Sequence, residues 1–469
     1  MRHWLFWLTL AACSHPATRE QMMDPKTCQG CHPEEYGEWA GSMHAYAAED
    51  PVFIAMNQKG QRETDGGLGT FCVNCHAPLA VSEKATTDGL NLTSVAAPLK
   101  GVTCYFCHSV DSVTGTHDNP LHLSGDLVMR GQFSDPAPNT THFSSYSALV
   151  DRDNLASASL CGACHDVQTP HGANLERTFS EWQASVYSKP PGGVTCGECH
   201  LPQSPTDHPI AITPGAPQRR EHSHAMPGVD VALTDFPNGD QQRLAVQELL
   251  DSTLQTGLCV TLGQARIDVL LDNVAAGHGF PSGAAQDRRV WTEVTAYSQG
   301  AVIYHSGTSA DAGGEPSDLD AWLLRDCIFD EAGAEVHDFW KAASYDGNAL
   351  PGQATFDRSD MRYYQSHLVK AFPRGGPLGT APDRVTLAVY ERPISRDVTS
   401  ALVASGDLDS AVAALIPTFQ LGATLEWTPD AGEVVGLDSL GLPISCVSKS
   451  NLTLASTAVK VEPRARCTP

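Results

Sequence analysis

One pattern, Cys-x-x-Cys-His, occurs five times before residue 201: Cys28-Cys31-His32, Cys72-Cys75-His76, Cys104-Cys107-His108, Cys161-Cys164-His165 and Cys196-Cys199-His200. Two thiols at this spacing can reach the two vinyl groups of one porphyrin. The histidine that follows then lies under the iron as its proximal ligand. Structural zinc would pair Cys-x-x-Cys units without requiring a histidine after each. A thioredoxin-type redox pair would occur once, beside a βαβ pattern. Neither accounts for five histidines in register. The expectation is five covalently attached haems c, with Cys28, Cys31, Cys72, Cys75, Cys104, Cys107, Cys161, Cys164, Cys196 and Cys199 as thioether donors. His32, His76, His108, His165 and His200 are then the proximal ligands.

The other side of each iron decides the chemistry. A second histidine fills the coordination sphere and suits electron transfer, whereas an open position admits substrate. Histidines free for that role are His44, His117, His122, His142, His171, His208, His222, His224 and His278. Of these, His44 stands first, His142, His224 and His278 follow, and His117 is chosen over His122 for the fifth place. His278 sits in Gly-His-Gly, so it is either an iron ligand or an ordinary turn residue.

The elements that must hold these residues fall in two parts. Gly101-Val102-Thr103-Cys104 recurs as Gly193-Val194-Thr195-Cys196. Glu38-Trp39-x-x-Ser42-x-His44 recurs as Glu181-Trp182-x-x-Ser185-x-Tyr187, with the histidine replaced by tyrosine. The chain thus holds two haem pairs of one design behind a single leading haem. This half is rich in turn residues and poor in long periodic segments, so short helices around a haem-filled core are expected. A helix around 239–256 connects it to a region of short β-branched and aromatic runs, at 267–271, 289–297, 302–305, 323–329 and 384–390. Turns separate these runs, the pattern of an antiparallel, sandwich-like β domain. The fold class expected is a mainly α/irregular pentahaem domain followed by an all-β C-terminal domain. The boundaries expected are a signal peptide over 1–13, a tether over 14–26, the pentahaem domain over 27–235, a linker helix over 236–256 and the β domain over 257–469.

Arg2 and His3 precede a short apolar stretch ending in Leu10-Ala11-Ala12-Cys13, too short to span a bilayer. It fits a lipobox that would lipidate Cys13 and anchor the exported chain to a membrane, or an ordinary signal peptide. An exported protein meets an oxidising compartment, where Cys259, Cys327, Cys446 and Cys467 could form two disulfides by any of three pairings. The chain has 469 residues, 54 acidic against 30 basic, and a net charge of −24. That charge argues against nucleic acid and for redox partners that are neutral or basic where they touch.

With these motifs in view, the chain resembles the cytochrome c-554-like multihaem cytochromes, related through haem packing to the hydroxylamine oxidoreductase and pentahaem nitrite reductase group. The segments that carry the resemblance are Trp39-Ala-Gly-Ser42-Met-His44, the Gly-Val-Thr-Cys sites, Thr178-Phe-Ser-Glu-Trp182, and Ala276-Gly-His278-Gly-Phe280-Pro281-Ser282-Gly283 with Arg289-Val-Trp291. The resemblance implies closely packed, mostly bis-histidine haems acting as an electron wire; the export signal places the chain in the bacterial cell envelope, as a periplasmic or outer-membrane lipoprotein. Two departures count against nitrogen chemistry. No motif ends in the lysine of the nitrite reductase catalytic haem, and no cross-linking tyrosine can be placed. The alternative is a multihaem oxidoreductase with one open-site haem acting on a small nitrogen or sulfur compound.

Overall fold

Each haem motif is carried on or beside a short helix. In the computed structural model, which describes residues 16–309, 314–357, 359–431 and 447–448, these helices are Pro25–Gln29, Val73–His76, Cys104–Ser109, Ala158–His165 and Cys196–His200. Their starts follow from the sequence. Thr103 and Thr195, the threonines of the repeated Gly-Val-Thr-Cys, are N-caps whose hydroxyls accept from the Phe106 and Glu198 amides. Glu198 closes a full capping box by accepting from the Thr195 amide at 2.7 Å. Such caps satisfy amides that a short helix otherwise leaves orphaned, a contribution of about 1 kcal/mol each.

The stretch expected as a tether is folded from Ala17 onward. Its helix Arg19–Met23 buries Met22 and Met23 against Tyr105 and Phe106. Residues 1–13, with Cys13, lie outside the described residues, as do Cys446 and Cys467. Cys327 is disulfide-bonded and Cys259 is buried.

The connecting helix runs from Gly239 to Thr253, turning Val246 and Leu250 into the core and leaving Leu244 in solvent. Its Gln242 reaches back, donating to the Gly41 carbonyl at 3.0 Å and accepting from the Ala232 amide at 2.8 Å.

Beyond it, two antiparallel sheets dominate. One has the strand order His367–Phe372, Arg266–Asp272, Gln255–Thr261, Val447–Ser448. The other runs Ala301–Ser306, Arg289–Ser298, Arg384–Arg392, Phe419–Gln420, joined by Trp322–Leu324 and Leu425–Trp427. Inward residues of both, among them Val260, Ile267, Leu271, Val290, Val294 and Leu387, meet in one apolar cluster. The run expected at 323–329 is broken at Arg325 into two strands that join different sheets. Two further elements, His367–Phe372 and the helix Arg396–Ala404, lie outside the runs expected from the sequence. His367–Phe372 mixes polar residues with apolar ones because it pairs along Arg266–Asp272, where the buried His367 faces the buried Asp272.

A second cluster spans both halves of the chain. The helix Pro51–Glu63 supplies Val52, Phe53, Ala55 and Met56, and the C-terminal half supplies Trp340, Val398, Leu402 and Ile416. Ion pairs reinforce this contact: Arg62 with Asp407 at 2.6 Å, Lys59 with Asp338, and Arg177 with Asp326 at 2.5 Å.

Candidate haem centres

A helical turn brings residues three and four apart to the same side, so each motif offers its two thiols and its imidazole together. The motifs also meet one another. The Cys28 thiol lies within hydrogen-bonding reach of Cys104, Cys75 of Cys164 and Cys161 of Cys196, while Cys107 lies in the field of Cys161. All five sites are therefore linked, with the Cys161-Cys164-His165 site within thiol reach of two others and in the field of a third. Cys31 differs from its counterparts in being disulfide-bonded; thioether formation at that position requires this bond to be absent.

The imidazoles test whether the residues fit haem. Two rings bound on opposite sides of one metal, at about 2.0 Å per nitrogen, have centroids roughly 6 Å apart. Three pairs meet this condition. His44 and His165 are 6.2 Å apart, His108 and His224 are 6.4 Å apart, and His200 and His278 are 6.4 Å apart. The interplanar angles are 84°, 27° and 13° respectively; a shared axis permits any of them. Each pair joins a motif histidine to one singled out as a distal ligand.

Second contacts orient several rings. Nδ1 of His76 meets the Ala47 carbonyl at 3.2 Å, that of His108 the Arg130 carbonyl at 2.5 Å, that of His200 the Pro227 carbonyl at 2.7 Å and that of His278 the Gly279 carbonyl at 2.7 Å. Such a bond fixes the tautomer and leaves Nε2 for a metal. In His44 and His224 a buried Nδ1 has no hydrogen-bond partner, so each ring has a nitrogen to offer. Burial pushes His44, His76 and His278 down to about 4, and His165 and His224 to about 3. At neutral pH all are the uncharged form that binds metal. The donor set fits haem c.

The remaining histidines are less clearly placed. His142 is half-buried, in the electrostatic neighbourhood of His32 and His108. His117 is exposed and pairs with Asp118 at 2.8 Å, and His122 is exposed and pairs with Asp111 at 2.8 Å. Neither is brought against a motif histidine. His171 faces Glu331, His208 faces Glu221, and His222 stacks 5.2 Å from His224. His32 and His76 have no histidine ring partner among the described residues. The His76 ring instead stacks on Phe53, with centroids 3.9 Å apart and 4° between planes.

A group of charges went unnoticed in the sequence. Arg288 bonds Asp230 at 3.1 Å, and its field reaches Glu176, Glu391, His165 and His278. Burial pushes Glu176, Glu391 and Asp287 up to about 7. These residues come from both halves of the chain and share no spacing, so no motif could have announced them.

Comparison with known proteins agrees with this geometry. Residues 27–109 match the family of cytochrome c554 and c-prime. The crystal structure of a penta-heme cytochrome c552 from Thermochromatium tepidum superposes with a TM-score of 0.59 at 19% identity, covering 87% of this chain and 99% of that one. No curated protein sequence matches the chain. The fold and the paired sites define a multihaem c-type cytochrome with covalently bound haem c. Over residues 27–109 it resembles the cytochrome c554 family.

Proposed function

We propose that the chain carries five haems c and transfers electrons along them, with His44, His224 and His278 as the distal ligands of the His165, His108 and His200 sites. The observation that carries this reading is the set of three imidazole pairs at 6.2–6.4 Å. Bound haem iron supplies a reversible one-electron couple. The chain holds two neutral nitrogens on each such axis, so ligation need not change between redox states. The carbonyls that accept from Nδ1 stiffen the rings and raise the basicity of the nitrogens that bind. The linked thiols bring all five sites close together, which suits passage from one to the next. His142 is assigned to the His32 site.

The reading extends to the rest of the chain. The haem domain spans 27–235, the helix 236–256 connects it, and the β domain over 257–469 is a sandwich-like structural or docking module. An N-terminal signal exports the protein to the cell envelope, where a lipid on Cys13 tethers it. Redox partners would be neutral or basic at the contact, and the net charge of −24 argues against nucleic acid. No described helix is long and apolar enough to cross a membrane.

A second reading rests on His76. Among the described residues no histidine ring stands opposite it, and this favours one open-site haem there and hence an oxidoreductase acting on a small molecule. Low-temperature EPR of the oxidised protein separates the two, after intact mass has counted the haems. Low-spin signals alone support the electron carrier. A high-spin signal near one haem per chain, altered by nitrite or hydroxylamine, moves the assignment to the enzyme.

A further inference from the structure

The repeated Glu-Trp-x-x-Ser segments do the same work twice, and that work joins the two axial sides of one haem site. Trp39 Nε1 donates to the Val102 carbonyl at 2.7 Å, and Trp182 Nε1 donates to the Val194 carbonyl at 2.8 Å. Val102 and Val194 are the valines of Gly-Val-Thr-Cys, two residues before the first haem cysteine. Their amides are held as well, donating to the His44 carbonyl at 2.8 Å and to the Tyr187 carbonyl at 2.7 Å. The glutamate before each tryptophan faces the other way. Glu38 accepts from the His224 amide at 2.8 Å, and Glu181 accepts from the Gly279 amide at 3.0 Å.

His224 stands opposite His108, and His278 opposite His200. Two adjacent side chains thus grip the proximal segment and the distal loop of one site. We propose that Glu38-Trp39 and Glu181-Trp182 are positioning pairs that set the distal histidines against the His108 and His200 haems. The proposal rests on those ligand pairs.

The local geometry supports a dedicated device at the second copy. A Cβ on Gly279 would come within 2.8 Å of Glu181 Oε2, so only glycine admits the carboxylate to that amide. Ser282 also donates to Glu181 Oε2 at 2.6 Å, and the Gly283 amide donates to Thr178 Oγ1 at 3.0 Å. The distal loop is therefore pinned to one helix at several points. Tyr187, which replaces the histidine of the first copy, donates its hydroxyl to the Val274 carbonyl at 2.5 Å. In this copy the third position has become another fastening of the same loop. His224 and His278 both lie outside helices and strands; the His278 carbonyl also accepts from Asn273 Nδ2 at 2.7 Å.

The test uses the full-length, haem-loaded protein and counts carbon monoxide binding sites per chain in the reduced state, alongside EPR of the oxidised state. His278→Ala is the reference and should add one carbon monoxide site. Glu181→Ala should open that same haem in part or whole, with haem content unchanged by mass. Glu181→Gln, which still accepts from the amide, should stay closed. Gly279→Ala, which forces the carboxylate away, should behave like Glu181→Ala and serves if that variant does not mature. Glu38→Ala should act at the His108 haem alone. Closed, unshifted haems in both Glu181→Ala and Gly279→Ala, beside an opened His278→Ala, overturn the clamp and leave the pairing standing. A closed His278→Ala means the pairing itself is wrong.

Discussion

The ring of His44 lies 6.2 Å from that of His165 and at 84° to it, although one belongs to the helix Met43–Tyr46 after the first motif and the other to the fourth motif. In the proposed ligation the distal ligand of the His165 site thus comes from an earlier site's surroundings. Removing it should disturb a haem remote in sequence.

His44→Ala is expected to convert one low-spin haem to high-spin while all haems remain attached. EPR with intact mass measures both quantities. His117→Ala, at an exposed position, should leave the spin state as it is. A spectral change in the second variant equal to the first would remove the ligand assignment.

Replacing Cys161 and Cys164 with alanine should lower the mature mass by one haem. Because this site lies within thiol reach of two others and in the field of a third, electron exchange among the remaining haems should slow more than after the same change at Cys28 and Cys31. Stopped-flow reduction checks the second point.

The shared core of the two main sheets should be costly to hollow. Leu271 is fully buried there, and Leu271→Ala should destabilise the C-terminal half by about 2–5 kcal/mol. Denaturant unfolding followed by tryptophan fluorescence measures it, and a loss below about 1 kcal/mol would contradict the packing described.

Stability should fall between mildly acidic and neutral pH. Glu391 is 1% exposed and held up at about 7 by burial. The folded state therefore keeps a proton that the unfolded chain releases near 4.5. The contribution is fully present below the unfolded value and is lost as pH rises through the folded one, on the order of 3 kcal/mol in all. Glu391→Gln should flatten this slope. Thermal melts from pH 4 to pH 8 would show it, and a slope unchanged in the variant assigns the effect to other carboxyls.

The motif positions were legible because covalent haem attachment dictates residue type and spacing over five consecutive positions. His44, His224 and His278 were among the distal choices named from sequence, and each stands opposite a motif histidine. His117 was chosen over His122 for the fifth place, and both are exposed. A lone histidine carries no periodic signal, so sequence could not tell a surface residue from a buried one. The helix expected over 239–256 and found over 239–253, and four of the five β runs, were legible from periodicity and turn residues. His367–Phe372 was not, because its burial comes from a partner strand far away in sequence.

The sequence by itself singled out the five Cys-x-x-Cys-His sites expected to attach haem, because such an attachment is made within a single helical turn and so fixes residue type and spacing locally. It also showed that Glu-Trp-x-x-Ser and Gly-Val-Thr-Cys each occur twice. Only the tertiary structure decided which distant histidine faces which motif and what the repeated glutamates and tryptophans hold. Those contacts join segments with no fixed separation along the chain, and their geometry exists only once those segments have packed together.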